Sequence, residues 1–208
     1  GDWESFFRRW LAYYGLKNSD AARIRDTVPH VKRVLPILNQ RKNIVHGTRE
    51  VDCQLIGTYP YYPEFTQAKI VRGQFLNDTE ERGKLRSCVL SLSLAEKLFA
   101  GHDPLREFVV VQGYESRQVF KVKGILQERA DVEKLPQLPD SMGQSIAANV
   151  YIPLSTFKAL YGTRNIDRSI GTLKLEAVDL SEIRVEFDSV EHVLQSLPLI
   201  HEALRTGR

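Results

Sequence analysis

The chain has 208 residues, 42% hydrophobic and 26% charged, which fits a globular protein and excludes a disordered, collagen-like or disulfide-dense class. Its formal net charge of +3 carries no nucleic-acid signature, because Arg8-Arg9, Lys32-Arg33 and Arg41-Lys42 are scattered pairs rather than one basic stripe. No stretch nears the roughly 18 apolar residues of a membrane span, and the first residues lack the basic start and unbroken apolar core of a signal peptide.

In chain order, residues 2–14 predict an amphipathic helix. Asp2 stands as cap, Trp3, Phe6, Phe7, Trp10, Leu11 and Tyr14 follow a helical stripe, and Gly15 ends it. Aromatic residues beside Arg8 and Arg9 suit either a membrane surface or packing on the parent domain. A second helix is expected over about 20–27, capped by Asn18 or Ser19, with strand-like sequence at 31–38 and 51–58. A short helix is expected near 64–70, after the Tyr59-Pro60-Tyr61-Tyr62-Pro63 break.

Cys88-Val89-Leu90 reads as a short buried strand, and Ser93 to Glu96 as a capping box opening a helix closed by Gly101. Residues 108–112 and 118–126 predict a hairpin around Gly113, with Phe120 and Val122 inward and Lys121 and Lys123 outward. The polar run 127–147 is expected to be a long loop and a contact surface for a partner. Residues 149–152 predict a strand, Ser155 caps a helix that Gly162 ends, and strands follow at 172–178 and 183–187. Asp188 and Glu191 then cap a last helix with Val190, Val193, Leu194, Leu197 and Leu204 as its apolar positions and a kink at Pro198. The class is α+β, a mixed or antiparallel sheet with packed helices.

Recognisable chemistry is scarce. Cys53 and Cys88 sit in apolar strand-like runs, where a buried free thiol is the usual outcome, although a bridge stays open if the strands meet. None of His30, His46, His102, His192 and His201 pairs at i, i+4, so they read as solvated or capping residues rather than metal ligands. Ser91, Ser93 and Ser141 lack a nucleophile-elbow setting, and Gly113, Gly124 and Gly143 stand alone without a phosphate loop. Glu80-Glu81 reads as a solvated polar turn, and Asn77-Asp78-Thr79 as a chance glycosylation sequon. These patterns assign no catalytic, cofactor, metal or partner-binding residue.

Six segments in order carry a resemblance. They are Val51 to Pro60, with its strand ending at Gly57; Ile70-Val71-Arg72-Gly73-Gln74-Phe75-Leu76 with Asp78 and Glu80; and Cys88-Val89-Leu90 through Ala95 to Leu98-Phe99. Then come Asp103-Pro104-Leu105, Phe120-Lys121-Val122-Lys123-Gly124-Ile125-Leu126, and Val150-Tyr151-Ile152-Pro153-Leu154. Together they resemble the periplasmic core domain of MacB-type ABC-transporter permeases, a group that includes lipoprotein-releasing permeases. Arg106 stands where that family usually has Gly, and Gly73-Gln74 where it has Gly-Arg.

The resemblance implies an inner-membrane protein whose core domain lies outside the membrane in two lobes, the second inserted in the first. Residues 1–19 would be a helix and linker, 20–84 with 166–208 a membrane-proximal lobe, and 85–165 an inserted β-rich lobe. It implies as partners a cytoplasmic ATP-binding subunit or domain, a periplasmic adaptor or lipoprotein substrate, and a second permease in a homo- or heterodimer. The expected function is mechanical: the domain transmits ATP-driven movement of membrane helices, without enzymatic activity of its own. The alternative is a stand-alone extracytoplasmic binding or sensing module for a peptide, lipid or lipoprotein.

Overall fold

A computed structural model describes residues 10–16, 18–113, 116–129, 148–162, 165–167, 174–176 and 180–205. They fall in two compact units, one of residues 1–38 and 161–208, the other of residues 39–160.

The discontinuous unit is built on three strands, β1 (Trp10–Leu16), the first half of β2 (Val31–His46) and β11 (Leu180–Phe187). β11 lies between the other two and pairs antiparallel with both, Tyr13 opposite Ile183 and Leu35 opposite Arg184. Trp10–Leu16 is therefore a strand, which corrects the expected helix over 2–14; the rest of that helix lies outside the described residues. Trp and Tyr favour a pleated surface, and a paired neighbour overrides a local helical stripe. Ile183, Val185 and Phe187 are buried as expected, together with Leu35 and Ile37.

Helices α1 (Asn18–Thr27) and α6 (Val190–Arg205) pack beside one another, and Arg23 donates from Nη1 to the Ala203 carbonyl at 2.8 Å. α6 buries Val193, Ser196, Ile200 and Ala203, while Leu194 is 73% exposed, so its inner stripe is rotated from the one expected. A small hairpin pairs β9 (Asn165–Asp167) with β10 (Lys174–Glu176).

The continuous unit contains the second half of β2, β3 (Arg49–Thr58), β4 (Lys69–Gly73), β5 (Ser87–Ser91), β6 (Phe108–Gln112), β7 (Arg117–Gln127) and β8 (Asn149–Pro153). Its pairings close a ring, β2–β3–β8–β5–β7–β6 and back to β2, with β4 added at the edge of β7. β3 runs parallel to β8, and β5 parallel to β7, so the sheet is mixed. Residues 39–84 cluster with 85–160 in the continuous unit, where β3 pairs with β8 and β4 with β7. Val109, Val111, Phe120 and Val122 point inward with no more than 1% exposure, and Phe108 and Lys121 point out, as the hairpin alternation predicts.

Four short helices decorate the ring: α2 (Tyr62–Thr66), α3 (Asp78–Gly83), α4 (Leu92–Phe99) and α5 (Leu154–Tyr161). α2 ends before Lys69, where strand β4 replaces the tail of the helix expected over 64–70. The capping box expected at Ser93 is absent, since α4 already begins at Leu92; Ala100, not Gly101, takes the left-handed C-cap position, with φ 50°. The box is found instead on α3: Asn77 accepts the Glu80 N–H while Glu80 accepts the Asn77 N–H.

Two glycines are forced by close backbone approach. Gly73 and Gly124 face each other in the β4–β7 register. A Cβ on Gly124 would stand 2.1 Å from the Gln74 carbonyl oxygen, and one on Gly73 would stand 2.2 Å from that of Lys123.

Candidate functional site

Burial drives polar side chains to find partners, so each buried polar cluster is a candidate for chemistry. In the continuous unit, Glu128 follows the end of β7 and accepts hydrogen bonds from two phenols. Tyr62 donates to Oε1 at 2.6 Å and the Tyr151 hydroxyl donates to the same oxygen. Asn149 donates to the Tyr151 hydroxyl at 3.2 Å. Burial, followed by the charge of Glu128, pushes the Tyr151 phenol well above its ordinary value. A phenol held neutral in this way is a donor and a poor base, so the arrangement locks α2, β7 and β8 together rather than activating a nucleophile.

Glu80 and Glu81 are not the solvated turn expected from sequence. Glu80 takes two hydrogen bonds from Lys123 Nζ, at 2.8 and 2.9 Å, in addition to the Asn77 N–H. Glu81 accepts the Ser155 N–H at 3.1 Å, which makes Ser155 a tether between α3 and α5 inside a helix that starts at Leu154. Burial raises the Glu81 carboxyl above its ordinary value, against the lowering effect of the Ser155 hydrogen bonds. Ser91, whose setting offered no signature, accepts the Asn149 N–H at 3.0 Å and joins β5 to β8.

Cys53 and Cys88 are buried free thiols. Burial pushes Cys53 up to about 12 and raises Cys88 as well, which leaves both far from thiolate reactivity at neutral pH.

In the discontinuous unit, His30, Asp188 and His192 converge. His30 Nδ1 lies 3.1 Å from one Asp188 oxygen and His192 Nδ1 lies 2.5 Å from the other. The two imidazoles stack with centroids 3.5 Å apart and planes 14° from parallel. The His192 hydrogen bond holds the Asp188 carboxyl below its usual range, against a smaller desolvation effect, and His30 adds to the lowering. Asp188 is thus engaged by both histidines. The pairing of positions 30 and 192 has no local sequence signal, because only the β2–β11 register brings them together. The expected contact loop, 127–147, lies outside the described residues from 130 onward.

A family model described as the MacB-like periplasmic core domain matches residues 5–193. The chain belongs to that family. The family is one of transporter periplasmic domains rather than of an enzyme class, and the six segments that carried the resemblance lie within the match. This MacB-like core domain is 24% identical over 153 residues to the pyoverdine export ATP-binding/permease protein PvdT of Pseudomonas aeruginosa, covering 73% of this chain and 21% of that protein. It is 30% identical over 108 residues to the macrolide export ATP-binding/permease protein MacB of Syntrophobacter fumaroxidans, covering 51% of this chain and 14% of that protein.

Two solved structures share the fold of this core domain. One is the extracellular domain of the noncanonic ABC-type transporter YknZ from Gram-positive bacteria, with TM-score 0.68 and 18% identity over 98% of this chain and 88% of that one. The other is the periplasmic region of MacB from Actinobacillus actinomycetemcomitans, with TM-score 0.62 and 20% identity over 93% and 75%. The α+β class and mixed sheet expected from sequence agree with these neighbours. No described helix is long and apolar enough to cross a membrane.

Proposed function

We propose that this chain is the extracytoplasmic domain of an inner-membrane ABC-transporter permease. In this reading it couples ATP-driven movement of membrane helices to export, or to the handling of a lipoprotein or other substrate, outside the membrane. The observation that carries the reading is the pairing of β1 with β11. β1 and β11, far apart in the chain, are neighbouring antiparallel strands of one unit, an arrangement that suits a domain set between two membrane spans. The membership in a family of transporter core domains, and relatives named as ATP-binding/permease proteins, supply the energy source: an ATP-binding subunit or domain on the cytoplasmic side.

A second permease copy and a periplasmic adaptor or lipoprotein complete the proposed assembly. Coupling of this kind requires two arrangements of the domain with different affinities for the outer partner, since a ligand shifts an equilibrium only by its differential affinity.

The test uses the full-length protein in cells. Arg82 is exposed and the native thiols are buried, so Arg82→Cys should be labelled by a membrane-impermeant maleimide from outside. In membrane vesicles its labelling rate should differ between ATP and a nonhydrolysable analogue. Labelling only after lysis removes the extracytoplasmic placement. Labelling from outside with no nucleotide dependence removes the coupling and favours the stand-alone binding module.

A further inference from the structure

We propose that His30, Asp188 and His192 form a binding site for a divalent transition-metal ion of the zinc class, which clamps the turn between α1 and β2 to the start of α6. One nitrogen from each histidine and one carboxylate oxygen lie within 4.8 Å of one another. Two imidazoles and a carboxylate are a zinc-type donor set, and they disfavour magnesium and calcium, which take oxygen ligands.

The spacing is close to that of a filled site. Ligands about 2.0–2.2 Å from a tetrahedral zinc ion stand roughly 3.3 Å apart. The His30–Asp188 separation of 3.1 Å already meets this, and the His192–Asp188 separation of 2.5 Å needs a retreat of less than about 1 Å, which a side-chain rotation supplies.

The two rings stack 3.5 Å apart, and each presents Nδ1 to a different oxygen of the same carboxylate. The two rings must turn out of their stack before both lone pairs converge on one ion, and their partial exposure leaves room for that rotation. The backbone holds the donors in place. His30 adopts a left-handed conformation, φ 64°, uncommon for a residue other than glycine, and its carbonyl accepts the Asp188 N–H at 3.0 Å. Ser189 Oγ lies 2.9 Å from the same His192 Nδ1 and gives up that contact when the nitrogen takes an ion. The three side chains are 45%, 50% and 28% exposed, so water can fill the remaining coordination positions.

The test titrates the 208-residue chain with Zn2+ by calorimetry, with Mg2+ as control and Co2+ absorption to report coordination. Wild type should bind one Zn2+ saturably, gain thermal stability with it, show a d–d band with Co2+, and ignore Mg2+. His192→Ala, Asp188→Asn and His30→Asn should each weaken Zn2+ binding about tenfold or more. Asn tolerates the left-handed backbone at position 30, and circular dichroism checks that each variant remains folded. His201→Ala, on the same helix but outside the cluster, should bind as wild type. The proposal fails if wild type shows no saturable uptake, if folded His30→Asn and His192→Ala bind as wild type does, or if Mg2+ competes equally.

Discussion

Removing either partner of the Glu80–Lys123 pair should expose how much of the inserted unit depends on one ion pair. The side chains are only 11% and 18% exposed, and Lys123 Nζ reaches both carboxylate oxygens. Breaking a fully buried pair costs about 3–5 kcal/mol, and an exposed pair is worth about 0–1 kcal/mol. This pair lies toward the buried end, so Glu80→Gln and Lys123→Met should each cost about 2–3 kcal/mol. Gln at this position preserves the capping box with Asn77, so the first variant isolates the charge. The double variant leaves neither charge stranded and should cost only about 1 kcal/mol, which gives a coupling of about 3–5 kcal/mol.

Glu80→Ala also loses the cap and should cost about 1 kcal/mol more than Glu80→Gln. The assay is urea unfolding followed by far-UV circular dichroism, because Trp3 and Trp10 both belong to the other unit. Single variants whose costs simply add would refute the reasoning, since additivity means that water screens the two groups from one another.

Burial that raises the Glu81 carboxyl means the folded state binds a proton more tightly than the unfolded chain, so this group adds stability as pH falls through its folded value toward its unfolded one. Glu81→Gln should therefore raise the melting temperature at neutral pH and flatten its pH dependence in that window, as scanning calorimetry at several pH values would reveal. Tyr151→Phe removes a donor from half-buried Glu128 and should cost about 1–2 kcal/mol in urea unfolding. Ultraviolet titration should show Tyr151 resisting ionisation until the chain unfolds at high pH. Cys53 and Cys88 should fail to react with a thiol reagent at neutral pH in the folded protein and both react in denaturant; rapid native reaction would contradict their burial.

Where a side chain's environment follows from its own strand, the sequence was readable. Phe120 and Val122 are buried and Lys121 is exposed as the alternation predicts, whereas Lys123, expected outward, is drawn in by Glu80. Gly73 and Gly124 stood out only through family resemblance, and the fold supplies their reason: each occupies space that a Cβ would contest with the backbone of the opposing strand. Glu80 departs from the expected solvated turn, which two adjacent carboxylates in a polar stretch resemble. Its burial depends on Lys123, 43 positions away, and no local pattern encodes such a partner. The His30–Asp188–His192 cluster was invisible for the same reason.

The error at the N-terminus has a more specific cause. Trp10, Leu11 and Tyr14 satisfy a helical spacing, yet Trp and Tyr favour strands as strongly as their spacing favours a helix. The choice falls to the neighbour. β11 carries Ile183, Val185 and Phe187 on one face and presents a free edge once β2 has taken the other, so β1 closes that edge by pairing along Trp10–Leu16. β1 thereby becomes the edge strand among the described ones, and its pairing satisfies the backbone groups that β11 presents, an advantage that no helical stripe offers. The same pairing joins the first and last described strands of the unit, so the choice between helix and strand at residues 10–16 is settled by a partner about 170 positions away.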